Sequence, residues 1–168
     1  MKIHLIAFGK LKNPGFRETA DYLIRNVQPW VKLEEHEIKP LEIPDKSEAT
    51  RKQIQAREAE LFLEQLKKII TPRGVICLLD EAGKSQDTQA SARQLRSFED
   101  ESFSEVVFGV GSSLGWEPAL KKNSSGHTPK ILSFGPQTLS HELARIILLE
   151  QIYRALSVVR GHPYHNQG

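Results

Sequence analysis

A helix that is apolar around more than half of its circumference cannot lie on the outside of a small protein, and the last thirty residues of this chain encode one. At roughly 100° per residue, Ala144, Ile146, Leu148, Leu149, Ile152, Tyr153, Ala155 and Leu156 spread over most of a helix predicted across 139–159. Such a helix needs cover on more than one side. A sheet supplies one cover, and in a chain of 168 residues a second copy of the protein is the simplest source of the other. Arg145 projects from the middle of the apolar arc. An unpaired guanidinium there would be very costly, so it is expected to have a fixed partner.

Upstream, short apolar runs alternate with longer amphipathic ones. Strands are expected at 2–8, 31–38, 75–79, 106–110 and 130–133, and helices at 16–27, 47–70, 88–98 and 139–159. The runs 75–79 and 106–110 are continuous and bounded by glycine, as in central parallel strands covered on both faces. The helix over 47–70 is polar nearly all round in its first half, and Pro72 and Gly74 stop it. Repeated strand then helix predicts an α/β fold with a mostly parallel sheet flanked by helices, in a single domain over 1–168.

Charge and cysteine content narrow the function. The net charge of +2 does not by itself announce a nucleic-acid binder. From Gln151 to Gly168, however, there is no Asp or Glu, while Arg154, Arg160, His162 and His165 are all present. That makes a local basic end suited to a phosphate-bearing partner. Cys77 is the only cysteine, so a disulfide framework and a cysteine-rich metal site are excluded; no metal is expected, and a reducing cytoplasm is. Residues 1–9 read as a first strand instead of a signal peptide, and no stretch is long enough to span a membrane.

In open α/β sheets, ligands bind beyond the carboxyl ends of the strands. Three loops are expected at that edge, at 78–84, 109–115 and 133–139, each containing glycine. Glycine lets backbone approach a ligand closely, and exposed N–H and C=O groups can read an adenine or a carboxylate without charged side chains. Three such loops on central strands, with apolar Phe134 in the last, predict a pocket.

Several segments resemble one family: Ile6-Ala7-Phe8-Gly9-Lys10, Leu79-Asp80-Glu81-Ala82-Gly83-Lys84, the glycines from Gly109 to Gly115, Thr138-Leu139-Ser140-His141-Glu142-Leu143-Ala144-Arg145, Leu149-Glu150-Gln151-Ile152-Tyr153-Arg154-Ala155 and His162-Pro163-Tyr164-His165. Nearly the whole chain is similar to the ribosomal RNA large subunit methyltransferase H family, of the SPOUT class. The resemblance implies a SPOUT-type sheet with a C-terminal trefoil knot, a homodimer, and S-adenosyl-L-methionine as cofactor. It implies methylation at N3 of a pseudouridine in the intersubunit-bridge stem-loop of large-subunit rRNA, on the assembled ribosome. Carried over by position, Leu79, Gly111, Phe134, Gly135, Pro136, Gln137, Thr138 and Leu139 are cofactor-binding positions.

Transfer of a methyl group from a sulfonium asks the protein to align donor and acceptor and to help remove the imide proton. His165 and His162 are candidate bases, with His165 favoured, Tyr164 is placed to stack on or hydrogen-bond the base, and Arg154 to hold phosphate or the developing anion. His141 is expected to be structural, satisfying polar groups at the start of the last helix. Two other classes fit parts of the sequence. Gly111-Ser112-Ser113-Leu114-Gly115 matches the nucleophile pattern of a serine hydrolase, with Ser113 attacking and His162 as base. A ribosome-binding factor without catalysis would use the basic tail alone.

Overall fold

The computed structural model describes residues 1–165, apart from the side chain of His165. The elements run β1 (Lys2–Phe8), α1 (Pro14–Val27), β2 (Lys32–Ile38), α2 (Glu48–Lys67), β3 (Gly74–Ser85), α3 (Thr88–Asp100), β4 (Glu105–Val110), α4 (Pro118–Lys122), β5 (Lys130–Ser133), α5 (His141–Val159) and a final 3-10 turn, Pro163–His165. All strands pair in parallel, in the order β2-β1-β4-β3-β5. Each long helix starts where a side chain accepts an otherwise orphaned N–H: Asn13 from Gly15, Ser47 from Thr50, Asp87 from Ala90 and Ser140 from Leu143. Pro14 sits in the first turn of α1, so that helix opens two residues before its apolar pattern does.

Alternation along the strands divides the core in two. Ile3, Leu5 and Ala7 of β1, Val75 and Cys77 of β3, and Val106, Phe108 and Val110 of β4 pack under α1, α3 and α5. Their neighbours Ile6, Phe8, Ile76, Leu78 and Val107 meet Phe62 and Leu66 of α2 on the other face. Each large side chain so buried contributes about 1.5–3 kcal/mol. Burial pushes the Cys77 thiol up to about 12, which removes it from thiolate chemistry. Among the described residues, no helix is long and apolar enough to cross a membrane.

The strong apolarity of α5 is met mainly inside the chain. The helix lies against α1 and α3 as well as the sheet, so two of its own helices take much of the cover that the sequence assigned to a second copy. What stays partly open is the stripe Leu143, Ile147, Glu150, Arg154 and Val158. Arg145, 2% exposed, does find its fixed partners. Its Nε and one terminal nitrogen donate to Glu35 at 2.9 and 2.6 Å, and the same terminal nitrogen reaches Glu37 at 2.8 Å. Arg17 of α1 holds the other Glu35 oxygen at 2.8 Å. Edge strand β2 can therefore carry glutamates on its core side, because two guanidiniums arrive there. Arg145→Met leaves Glu35 and Glu37 short of their cation and should cost about 3 kcal/mol in urea denaturation; an unchanged midpoint would contradict the role given to the cluster.

The α2 face of the sheet has its own polar insertion. His4, 4% exposed, lies 2.9 Å from His36 through ring nitrogens, and Gln65 of α2 reaches the other His36 nitrogen at 3.1 Å. Burial, then the charge of His36, holds His4 below its ordinary value of 6.5; burial does the same to His36. A histidine whose folded value is lowered stabilises the fold fully above 6.5 and loses that contribution as pH falls toward the folded value. The thermal midpoint should thus drop between about pH 7.5 and 5.5, and the double change His4→Gln with His36→Gln should flatten that slope.

Candidate functional site

The carboxyl ends of β4 and β5, with the middle of β3 at Leu79–Glu81, open into a cleft of about 580 Å³, within the range of small-molecule sites. Leu79, Gly111, Phe134, Gly135, Gln137, Thr138 and Leu139 line it; Pro136 does not, and is an exposed residue at a bend of the chain. His141 also faces the cleft, whereas the capping role expected of it belongs to the hydroxyl of Ser140.

Two expectations about the loops change. The segment 78–84 is no simple loop, because β3 continues to Ser85 and pairs with β5 again after an irregularity between Leu79 and Lys84. This second pairing works because Gly83 has no side chain: a Cβ there would stand 2.7 Å from the Leu132 carbonyl carbon. Gly109 and Gly111, in turn, make room for Trp116 as much as for a ligand. A Cβ on Gly109 would lie 2.7 Å from Leu78 and 3.1 Å from the indole, and one on Gly111 would lie 3.3 Å from it. Trp116 is buried beneath the cleft and donates its ring N–H to the Leu79 carbonyl at 2.8 Å, fixing the loop after β4 against β3.

The polar half of α2 braces the same loop from behind. Gln55 donates to the carbonyls of Leu114 and Trp116 at 2.9 and 3.2 Å. Buried Glu58 accepts the Ser112 hydroxyl at 2.5 Å and the Leu41 N–H at 3.2 Å. On the far wall, the Ser133 hydroxyl donates to the Gly135 carbonyl and accepts its N–H at 2.9 and 3.0 Å, so Gly135 turns at φ +110. Thr138 donates to Glu81 at 2.7 Å. Trp116, Gln55 and Glu58 were absent from the sequence reading; a lone tryptophan straight after Gly115, and polar residues placed where α2 should be apolar, were the available signals.

The cleft has a definite electrostatic character. Asp80 and Glu81 line it, and no lysine or arginine does among the described residues. Lys121 approaches Asp80 at 3.0 Å from outside that lining. A neutral or cationic ligand suits such walls, and a polyphosphate does not.

The tail residues form a second cluster. Arg154 donates to Glu150 at 2.8 Å and lies 4.9 Å from the centre of the Tyr164 ring, while Tyr164 also reaches Glu150 at 3.3 Å. The Glu150 carboxylate raises the Arg154 value further, and burial, with Glu150 adding, raises that of Tyr164, so both stay protonated near neutrality. His162 packs edge-on against Trp30 at 5.1 Å, and its Nδ1 accepts the Tyr164 N–H at 3.2 Å. The His165 backbone closes the 3-10 turn, and its side chain lies outside the described residues. The basic end read from the sequence is largely neutralised, since Glu150 takes Arg154 and Glu99 of α3 takes Arg160. Within one chain the tail and the cleft stay apart: Arg154 is ten residues beyond Ala144 of the cleft, or about 15 Å along the helix. Ser113 occupies a turn followed by irregular chain up to Pro118, without the strand-to-helix elbow of a serine nucleophile.

The fold and cleft define an α/β protein with a cleft of small-molecule size, lined by carboxylates and glycine-bearing loops, at one edge of a parallel sheet. Residues 1–165 match the family model described as "Predicted SPOUT methyltransferase". The chain is 37% identical over 166 residues to ribosomal RNA large subunit methyltransferase H of Rhodopseudomonas palustris (strain HaA2), which covers 98% of this chain and 99% of that protein. Proteins of the same name from Nitrobacter hamburgensis (strain DSM 10229 / NCIMB 13809 / X14) and Streptococcus thermophilus (strain CNRZ 1066) are 37% and 33% identical, over the same shares of both chains. The chain belongs to the ribosomal RNA large subunit methyltransferase H family of SPOUT methyltransferases.

Because a Gly83 Cβ would collide with backbone and not with a movable side chain, Gly83→Ala should separate the distal pairing of β3 and β5 and cost about 2 kcal/mol. Urea denaturation reads the loss, and hydrogen exchange at Leu132 and Ser133 should rise with it.

Proposed function

We propose that this chain is an S-adenosyl-L-methionine-dependent rRNA methyltransferase that modifies N3 of a pseudouridine in the intersubunit-bridge stem-loop of large-subunit rRNA, on the assembled ribosome. The observation that carries the reading is the cleft itself: glycine-rich backbone walls, an apolar Phe134 and Leu139, and the carboxylates Asp80, paired from outside with Lys121, and Glu81, with no lysine or arginine in the lining among the described residues. Those groups fit a ligand that joins an adenine to a cationic sulfonium. The names of the relatives support the RNA substrate.

Leu79, Gly111 and the residues from Phe134 to Leu139, Pro136 shaping the turn from outside, would hold the cofactor. Bound there, it supplies an electrophilic methyl group. The chain's own residues then have four tasks. Phe134 and Leu139 shield the reacting centre from water. His165 takes the proton from N3, and Arg154 stabilises the imide anion that forms. Tyr164, a phenol at neutral pH, stacks against the base or donates to it.

The reading includes a homodimer in which the tail of one copy serves the cleft of another, and the separation of cleft and tail along α5 supports it. The half-open stripe from Leu143 to Val158 and the exposed Tyr22 are the surface offered to that copy. It also includes a C-terminal trefoil knot, with the segment 133–140 bound back to the β3 extension through Glu81. The test is methyl transfer from labelled cofactor to ribosomes lacking the modification, followed by nucleoside mapping. Arg154→Ala should slow transfer about a hundredfold with cofactor affinity nearly intact. Gly111→Val, which displaces Trp116, should mainly weaken cofactor binding. Normal turnover in both variants would refute the site, and label on a different nucleoside would refute the target.

A further inference from the structure

Outside the cleft, one cluster brings together three groups able to bind a metal. His4 of β1 stands opposite Glu34 of β2, and His36 follows two residues later on the same face of the sheet. His4 Nδ1 is 2.9 Å from His36 Nε2 and 3.6 Å from Glu34 Oε2, and one ligand atom from each of the three residues lies within 4.8 Å of the others. We propose that His4, Glu34 and His36 form a binding site for one divalent first-row metal ion of zinc type, linking the edge strand β2 to β1 against α2.

Geometry supports the donor set. Tetrahedral ligands at zinc bond lengths are spaced by about 3.3 Å, and the two shorter spacings here fall a few tenths of an ångström on either side. Two imidazoles and one carboxylate are a donor set suited to zinc with a fourth position left for water. Strand pairing fixes all three backbones, so little ordering is left to binding.

The neighbours are arranged to suit an ion. Lys32 pairs with Glu34 Oε1 at 2.5 Å, which turns Oε2 toward the histidines. In the metal-free protein one ring donates its N–H to the other, and that proton must leave the shared position when an ion enters. For His36 the alternative position is Nδ1, which faces the side-chain amide of Gln65 at 3.1 Å. Rotating that amide presents its carbonyl to an Nδ1–H, the outer-shell hydrogen bond that metal-binding histidines commonly make. Both rings stay neutral through this change. Sequence alone hides the site, because His4 and Glu34 are thirty residues apart and meet only through the register of β1 and β2.

The experiment titrates chelator-treated full-length protein with Zn²⁺ in a calorimeter and with Co²⁺ in a visible spectrometer. The expected result is one equivalent bound, with intense Co²⁺ bands of four- or five-coordination and a higher thermal midpoint. His36→Gln and Glu34→Gln should each lower affinity by about a hundredfold and Gln65→Leu by about tenfold, with circular dichroism showing each variant folded. His127→Ala and His162→Ala should leave binding unchanged. Absence of saturable binding, an affinity in folded His36→Gln and Glu34→Gln undiminished from that of the unaltered protein, or loss of the ion in His127→Ala or His162→Ala would overturn the assignment.

Discussion

The buried cation of Arg145 is the constraint around which the rest of the molecule is arranged. It sits on a helix that the sheet would otherwise accept only if wholly apolar, and it draws two glutamates of β2 into the same layer. The last helix and an early strand, 110 residues apart in sequence, are tied in a single register. The guanidinium also points a third nitrogen toward the Gly9 carbonyl at 3.4 Å, at the end of β1. Since α5 begins at the cleft, with His141 and Ala144 in its lining, that register sets where the far wall of the cleft stands.

The cleft then follows from supports behind it more than from residues facing it. Trp116 lies below, Gln55 and Glu58 brace the loop after β4 from α2, and Gly83 lets β3 and β5 close a second time. These supports place backbone groups, and backbone groups are what the proposed cofactor needs. Arg154, Tyr164 and His162 are likewise held in place within the chain, through Glu150, Trp30 and Tyr153.

The strands were legible because parallel central strands are short, continuous and apolar, and β1 and β5 match their expected limits. The distal half of β3 was hidden: Asp80 to Ser85 carries no apolar alternation, and its pairing depends on a missing Cβ opposite Leu132. Five-residue α4 was also missed, although Glu117 and Pro118 are a capping residue and a first-turn proline. A partner for Arg145 could be demanded on energetic grounds, but which carboxylates would answer required the fold. The pairing of the basic tail was not legible, because Glu150 stands just before the acid-free stretch and Glu99 arrives from another helix. The site residues came from resemblance and from glycine-bearing loops; the hidden tryptophan could not be placed without knowing what those glycines make room for.

That tryptophan has an implication for how the surface of the cleft can diverge. Recognition of the proposed cofactor by main-chain groups is indifferent to many exchanges among the side chains around it, so under that reading positions such as Ser113 and Gln137 are free to drift toward different affinities. The indole below has no such latitude, since its ring fills the space vacated by two glycines while its N–H anchors a third residue's carbonyl. Tuning this binding surface by protein engineering is therefore best begun at its rim, with Trp116 and the glycines above it left untouched as one inseparable unit.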